Sequence, residues 1–249
     1  PLTLALIALF LASQIVGLLV VQEYLDKELT AETGQPEFKP LPYSVERPEL
    51  EPLPALIFIL LAVLIGTGIL FLIIRFKKLS LWKAWYFLSV LVTLTIALAS
   101  FIPHSIALVL GTAGASLKIL KPNVIIHNLT ELLIYGGLAA IFVPLLNTFI
   151  AAVLLIAISI YDAFAVWKSK HMVKLAKFQT SSGLFAGLVI PYKKPSFKAP
   201  QKTTSKARSA IIGGGDLGFP LMFAGTVMVQ FGFYKALIIP IGAAIALTI

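Results

Sequence analysis

Long apolar runs separated by short polar links dominate the chain, and this pattern predicts a protein that crosses a membrane many times. A helix that spans a bilayer needs about 20 largely apolar residues, and eight such runs can be placed along the 249 residues. Their predicted bounds are 1–22, 53–74, 84–102, 104–120, 124–145, 147–167, 209–230 and a last run that opens near Phe233 and is still apolar at Ile249. We therefore expect an all-α polytopic membrane protein with eight transmembrane helices.

Two of the polar links are long, and they divide the chain into three regions. The link 23–52 is acidic and contains five prolines, which predicts an extramembrane loop with little regular structure. The link 168–208 carries ten Lys or Arg residues and no acid. We expect a six-helix membrane region over 1–167, a basic connector over 168–208, and two C-terminal helices over 209–249.

The charges of the links predict how the chain is oriented in the membrane. Along the chain, basic links alternate with links that are acidic or neutral. The basic ones are 75–83, 118–121 and 168–208, and the others are 23–52, 101–105 and 144–148. Because Lys and Arg favour the cytoplasmic side of a membrane, we expect the N-terminus and the basic connector to be cytoplasmic.

Composition supports a membrane protein and excludes several kinds of chemistry. The chain is 59% hydrophobic with a mean hydropathy of +0.96, above the roughly 45–50% apolar content of soluble domains. The absence of Cys excludes disulfides, a thiolate nucleophile and a Cys-ligated metal. The net charge of +9 comes from Lys and Arg beside apolar runs, which is typical of topology-setting flanks. We therefore expect the lipid bilayer as a partner, and no nucleic acid.

Acidic residues are rare in the predicted membrane region. Eight of the eleven acids lie in the first long link, which leaves Glu131, Asp162 and Asp216 for the rest of the chain. Asp162 lies six residues before Lys168, about 9 Å along a helix, and Asp216 lies eight residues after Arg208, about 12 Å. Because the two predicted helices run antiparallel, both carboxylates are expected at a similar depth from the same membrane face.

A carboxylate near the bilayer centre costs several kcal/mol, roughly 3 on the mildest scale, so two of them at one depth predict a functional site. Two carboxylates within hydrogen-bond range share one proton and titrate as a coupled pair. One can then act as a base that activates water, and the other as an acid that protonates a carbonyl. Such a pair hydrolyses a peptide bond with no metal ion or other cofactor. A cation transporter or leak channel that uses the same two aspartates is the alternative from another functional class.

The two aspartates stand in sequence motifs that resemble those of the presenilin and signal peptide peptidase family of GxGD intramembrane aspartyl proteases. The motifs are Tyr161 and Asp162 at the end of the sixth run, and Gly213, Gly214, Gly215 and Asp216 at the start of the seventh. The lack of a eukaryotic-style insertion makes the chain similar to an archaeal or other microbial member. The resemblance implies a presenilin-like fold, Asp162 and Asp216 as the catalytic pair, and transmembrane proteins or signal peptides as substrates. The glycines remove side-chain bulk beside Asp216, so that a helix or a substrate backbone can approach.

Members of this family carry a ninth span with a Pro-Ala-Leu motif beside the catalytic pair, so the resemblance implies a further helix beyond Ile249. Pro54, Ala55 and Leu56 have these letters but lie in the second run, upstream of both aspartates, and we interpret them as a coincidence. A prepilin-peptidase-like protease, which also uses a Gly-x-Gly-Asp aspartate, is the alternative among enzymes. The Tyr-Asp motif and the number of spans favour the presenilin type. The sequence leaves open whether the protein forms a homo-oligomer.

A polar stripe is predicted on the fifth helix, where His127, Glu131 and Tyr135 follow one another at intervals of four residues. A metal site or a proton relay is one interpretation of this stripe. One His and one Glu are too few ligands for a metal, and the spacing is not that of a zinc protease. We therefore favour interhelical hydrogen bonding.

The connector contains one apolar segment, 183–191, which is rich in strand-forming residues at its end. We expect it to rest at the membrane surface or to pack near the active site. A sharper hypothesis is that it offers an edge to which an extended substrate adds as a strand. The candidate substrate-binding residues are Leu184, Leu188, Val189 and Ile190.

Overall fold

The structure is a computed structural model that describes residues 2–168, 175, 178–179, 182–191 and 209–248. Most of the basic connector therefore lies outside the described residues. Within them the chain forms ten α-helices: α1 (Leu2–Tyr24), α2 (Lys27–Thr33), α3 (Pro52–Arg75), α4 (Leu79–Ala99), α5 (His104–Leu120), α6 (Val124–Phe142), α7 (Thr148–Trp167), α8 (Gly214–Phe231), α9 (Phe233–Ala236) and α10 (Ile238–Ala246). Four short strands form two antiparallel pairs, β1 (Leu25–Asp26) with β2 (Glu37–Phe38) and β3 (Gly187–Pro191) with β4 (Ser209–Gly213).

The predicted helical membrane architecture is confirmed in its main part, since helices dominate and the strands are short, whereas the count of eight spans stays a prediction. Among the described residues, five helices are long and apolar enough to cross a membrane: α1, α3, α4, α6 with its 3-10 extension to Leu145, and α7. The helix α5 and the segment 233–246 are apolar but shorter. The helix α8 is not among the five, since its first turn contains two glycines and an aspartate.

Two sequence predictions about local structure are wrong. The run 209–230 does not begin as a helix, because its first five residues form β4 and the helix begins at Gly214. Consecutive glycines are poor helix formers, and the β-branched residues before them suit a strand. The link 23–52 is also more regular than expected, since it contains β1, α2, β2 and a 3-10 turn at Pro42–Ser44. Asp26 caps α2 by accepting hydrogen bonds from the backbone N–H groups of the next turn.

The centre of the bundle is formed by α6 and α8. Helix α6 packs against α1, α4, α5 and α8, and helix α8 packs against α1, α6, α7 and α10. Small residues let the backbones approach closely, as is usual where helices associate inside a membrane. A Cβ atom on Gly136 would lie 3.0 Å from Val20 of α1, and one on Gly137 would overlap the backbone carbonyl of Thr93 in α4. Helix α3 is peripheral, with most of its length exposed.

The two ends of the bundle are covered by different polar structures. At one end, the acidic link folds over the helices, where Tyr43 donates a hydrogen bond to the His104 carbonyl and Arg47 donates one to the Ala140 carbonyl. At the other end, the β3–β4 pair packs against the start of α6 and the start of α8. The basic links before α4 and between α5 and α6 are at this second end, so the structure separates acidic and basic links as the charge pattern predicted.

Candidate active site

Asp216 occupies the first turn of α8, immediately after β4. Gly213 has an extended backbone and caps the helix, which makes Asp216 the third helical residue. A carboxylate in this position interacts favourably with the N-terminal end of the helix dipole. One of its oxygens lies 3.3 Å from the place that a Cβ atom on Gly213 would take, so the side chain folds back over the capping residue. The carboxylate also faces the Gly213 backbone, as an acid at this position does in a capping box.

Asp162 lies near the end of α7, the helix that packs against α8. Its side chain and that of Tyr161 are half-buried. One turn before Asp162, Ile158 belongs to the same buried cluster as Met222 and Phe219 of α8. The two helices run in opposite directions, since α7 ends and α8 begins at the side of the bundle that carries β4. The fold therefore brings both aspartates to one end of the α7–α8 pair, each about one turn beyond the shared cluster.

Tyr135 of α6 lies against the glycine turn that precedes Asp216. Its hydroxyl oxygen is 2.9 Å from the place that a Cβ atom on Gly214 would take. The backbone N–H of Gly214 donates a hydrogen bond of 3.1 Å to the Ala186 carbonyl just before β3. Gly214 is thus enclosed on two sides, whereas a Cβ atom on Gly215 would meet only Phe219 at 3.8 Å. The start of α8 is fixed by groups from α6 and from the connector.

Side chains of α6 occupy one edge of β3. The N–H of Gly187 donates to Glu131 Oε2 at 3.0 Å, and the Gly187 carbonyl lies 2.7 Å from His127 Nε2. Asn128 makes both hydrogen bonds with Val189, since its Nδ2 donates to the Val189 carbonyl at 2.8 Å and its Oδ1 accepts from the Val189 N–H at 3.0 Å. The stripe predicted on helix five therefore does form contacts to other elements, and it includes Asn128, which sequence reasoning did not select.

The free edge of the β3–β4 pair belongs to β4. Gly187 is opposite Gly213, and Val189 is opposite Ile211. In an antiparallel pair, residues in such facing positions alternately bond to each other and point away from each other. Because Gly187 and Val189 direct their backbone groups to α6, Ile211 directs its N–H and C=O groups to the outer side of β4. The Gly213 carbonyl instead serves as the N-cap acceptor of α8. Within the part of the chain that the structure describes, no third strand pairs with β4.

The four candidate substrate-binding residues lie in and before β3. Leu184 packs into a cluster with Trp82 and Tyr86, and Leu188 is fully buried in the cluster around α1 and α8. Val189 and Ile190 are half-buried. A substrate strand would not reach the edge of β3, which α6 occupies, so the geometry moves the expected edge to β4. A role of these four side chains in substrate binding stays a prediction.

Two polar groups of the site were not predicted from the sequence. Gln14 of α1 is fully buried and its Nε2 donates a hydrogen bond of 2.9 Å to the Leu217 carbonyl, next to Asp216. Pro220 has no N–H, so the carbonyl of Asp216, four residues earlier, lacks its helical donor. Lys118 of α5 forms an ion pair of 2.6 Å with Glu131. Gln14 was a usable signal, because it lies in the middle of an apolar run, whereas Lys118 looked like an ordinary membrane flank.

Comparisons with known proteins identify the family of the chain. The family model described as signal-peptide peptidase, presenilin aspartyl protease matches residues 7–243, which is nearly the whole chain. The chain belongs to this family. Among solved structures, it is similar to a presenilin family intramembrane aspartate protease determined in space group C222, with a TM-score of 0.54, 21% sequence identity, and coverage of 92% of this chain and 77% of that chain. Similarity at this level of identity shows a shared fold. No curated protein matches the sequence.

Membership of the presenilin and signal-peptide peptidase family makes the chain a multi-pass membrane protein of presenilin-like fold. The fold also shows where the Pro-Ala-Leu sequence at Pro54, Ala55 and Leu56 lies. These residues start α3, at the end of the bundle that the acidic link covers, whereas both aspartates are at the opposite end. The interpretation of these letters as a coincidence therefore agrees with the fold. Among the described residues, no group of three or more His, Asp or Glu side chains could hold a metal ion.

Proposed function

We propose that the protein is an intramembrane aspartyl protease of the GxGD type in which Asp162 and Asp216 are the catalytic pair. Family membership supports aspartic protease chemistry inside a membrane. The observation that carries the assignment of residues is their placement: each is the single acid of its helix, and α7 and α8 bring both to one end of the same helix pair. Both side chains are also accessible enough to meet a substrate, since one is half-buried and the other exposed.

The chemistry follows from one proton shared between two carboxylates. The ionised aspartate takes a proton from water while the water oxygen attacks the carbonyl carbon of the peptide bond. The protonated aspartate gives its proton to the carbonyl oxygen, so that a neutral gem-diol forms. In the second step the aspartate that took the proton from water gives it to the amide nitrogen, and the C–N bond breaks. The aspartate that gave up its proton recovers one from a diol hydroxyl. The pair ends with one proton, as it began.

The substrate is a transmembrane helix or a signal peptide that has unwound near the site. Unwinding exposes backbone N–H and C=O groups, which must find partners because little water is present. The outer edge of β4 offers such partners through the backbone N–H and C=O groups of Ile211. Strand addition at this edge would hold the peptide in extended form beside Asp216, which follows Gly213 by three residues. A cavity of about 280 Å³ bordered by Val189, Phe185 and Ile211 could receive one of its side chains.

The end of the bundle that carries the aspartates faces the cytoplasm. The basic links lie at this end, and Lys and Arg are retained on the cytoplasmic side of membranes. The N-terminus is then cytoplasmic as well, because the single span α1 separates it from the acidic link, which covers the opposite end of the bundle. Substrates are accordingly cut near the cytoplasmic end of their membrane span.

The proposal is tested with the purified protein in lipid vesicles and a tagged single-span substrate. We expect Asp162→Ala and Asp216→Ala each to abolish cleavage, because neither carboxylate can act as both acid and base for the reaction. Asp26→Ala is the matched control, since it removes an aspartate from the acidic link and costs only the cap of α2. Products are measured by mass spectrometry, and folding by thermal unfolding.

Cleavage that persists in Asp162→Ala or in Asp216→Ala would refute the assignment of the catalytic pair. The same vesicles can be loaded with a cation-sensitive dye. An ion flux that requires both aspartates, in the absence of any cleavage, would support the transporter or leak channel instead. Cleavage restricted to leader peptides outside the membrane would support the prepilin-peptidase-like alternative.

A further inference from the structure

A buried ion pair joins α5 to α6, outside the aspartate pair. Lys118 and Glu131 are 3% and 1% exposed, and Lys118 Nζ lies 2.6 Å from Glu131 Oε1. Taking two charges out of water is costly, and such a pair often stabilises a protein no more than apolar residues of the same size. Charged groups at membrane depth are usually retained for a function. The proposed chemistry uses neither of these residues, so their presence calls for another explanation.

Lys118 has all its donors engaged. In addition to Glu131, its ammonium group donates to Thr130 Oγ1 at 2.8 Å and to the His127 carbonyl at 3.3 Å. Three partners on one helix leave the ammonium no freedom to bind a ligand. Its effect is to hold the Glu131 side chain in one orientation, with Oε1 towards α5 and Oε2 towards the β3–β4 pair.

The second oxygen of Glu131 binds two groups that lie next to the aspartate site. It accepts a hydrogen bond from the Tyr135 hydroxyl and one of 3.0 Å from the Gly187 N–H. Tyr135 is the residue that lies against Gly214. One carboxylate therefore contacts the first residue of β3 and, through Tyr135, the first residue of α8.

The position of β3 along α6 is fixed by four hydrogen bonds, of which Glu131 makes one. The others come from His127 and Asn128, so that α6 takes the place of a neighbouring strand. Gly187 in turn packs closely against β4. Only glycine suits this position, since its backbone has φ of +140° and a Cβ atom there would overlap the Ile212 carbonyl. A slip of two residues in the β3–β4 register would displace β3 by about 6.6 Å relative to β4, whose last residue is joined directly to α8.

We infer that Glu131, held by Lys118, is a positioning residue that fixes the β3–β4 pair and the start of α8 against α6 and thereby decides which peptide bond of a bound substrate is cut. The inference rests on the proposed function, because it concerns a substrate strand on the outer edge of β4. A strand held there is aligned by β4, β4 by β3, and β3 by α6. Register is weakly specified in short strands rich in glycine. Both β3 and β4 are short, and they pair glycine with glycine at Gly187 and Gly213.

The central test is the cut position in Glu131→Gln. This change keeps the shape of the side chain and removes its charge, so an NH₂ group must face Lys118 or the donors of Gly187 and Tyr135. We expect products cut at neighbouring bonds in addition to the wild-type bond, with kcat lowered about tenfold by the misplacement and KM altered much less. Tyr24→Phe is the control, because it removes a buried hydrogen bond, to the Ile96 carbonyl, at the opposite end of the bundle.

A second variant keeps the test valid if Glu131→Gln folds poorly. Asn128→Ala leaves the ion pair intact and frees only the two Val189 hydrogen bonds, so it should fold and should also spread the cut positions. A readout independent of cleavage comes from a spin label on Ile211→Cys, which is a unique site because the chain has no Cys. We expect the label to be more mobile in Glu131→Gln and in Asn128→Ala than in Tyr24→Phe.

The outcomes separate this inference from the proposed function. Spread cut positions and a mobile label, with all products abolished by Asp216→Ala, support both. Unchanged cut positions in both variants overturn the inference and leave the protease assignment in place, as does a loss of rate no greater than that of Tyr24→Phe. Products that persist in Asp216→Ala overturn the proposed function, and the inference about cut position with it, whatever the label shows.

Discussion

At the scale of single residues, the three glycines before Asp216 are not equivalent. A Cβ atom on Gly213 would press on the Asp216 carboxylate at 3.3 Å, and one on Gly214 would lie 2.9 Å from the Tyr135 hydroxyl. A Cβ atom on Gly215 would make only an ordinary contact of 3.8 Å within its own helix. Tyr135 cannot move aside easily, because it is buried and donates to Glu131. The sequence presents these glycines as one motif, and the structure gives each its own constraint.

We expect Gly214→Ala to lower kcat/KM for a transmembrane substrate by about tenfold, since displacing the start of α8 misplaces Asp216. Gly215→Ala should change it less than about twofold, because the space is open and alanine favours a helix. The comparison is made by initial cleavage rates at equal amounts of folded protein. Equal losses in the two variants would contradict the role assigned to Tyr135.

At the scale of secondary structure elements, the main difference from the sequence prediction is β4. Its residues were expected to begin a helix and instead form a strand whose outer edge is open. The nearby segment 183–191 was hypothesised to offer an edge to a substrate strand. Its second half does form a strand, but α6 occupies that edge. Side-chain hydrogen bonds from a helix cannot be read from the periodicity of either segment. Only the packed structure shows which of the two strands remains accessible.

We expect Ile211→Pro to raise KM about five- to tenfold, since it removes one outward-facing N–H, and a single hydrogen bond contributes roughly 1 kcal/mol. The pairing with β3 should survive, because proline is tolerated where the N–H faces away from the partner strand. Ile211→Ala is the control that shortens the side chain and keeps the N–H. A thermal midpoint well below that of Ile211→Ala would show that the N–H faces β3 instead.

At the scale of the whole molecule, the acidic link acts as a cover for one end of the bundle. Arg47 connects this cover to the helices. Its guanidinium lies over the rings of Tyr24 and Phe38, and it donates hydrogen bonds to the Ala140 carbonyl of α6 and to the Lys39 carbonyl. One basic residue thus joins the ends of α1 and α6 to a loop whose other charges are mainly acidic.

We expect Arg47→Ala to lower the free energy of unfolding by about 1–3 kcal/mol, the usual cost of losing hydrogen bonds from a charged group and leaving their partners unmade. Arg75→Ala is the matched control, because Arg75 is exposed at the end of α3. Thermal unfolding of the two variants in the same detergent provides the measurement. A midpoint for Arg47→Ala equal to that of Arg75→Ala would show that the cover is not coupled to the bundle.

The sequence by itself determined the features that depend on local composition. Long apolar runs predicted the helices, and α5 has the predicted bounds of 104–120. The alternation of charged links predicted two chemically different ends, and the scarcity of acids singled out Asp162 and Asp216 as candidates. Each of these conclusions follows from the cost of placing polar groups in a membrane, which acts on every residue regardless of its neighbours.

Tertiary structure decided what depends on contacts between distant segments. Lys118 looked like a topology signal, and it is a buried partner of Glu131. Glu131 looked like an interhelical contact, and it also binds the backbone of β3. The open edge at Ile211 exists because α6 occupies the other edge of the sheet. These features arise from the pairing of individual donors and acceptors across the fold, and a buried polar group takes whichever partner packing places within its reach.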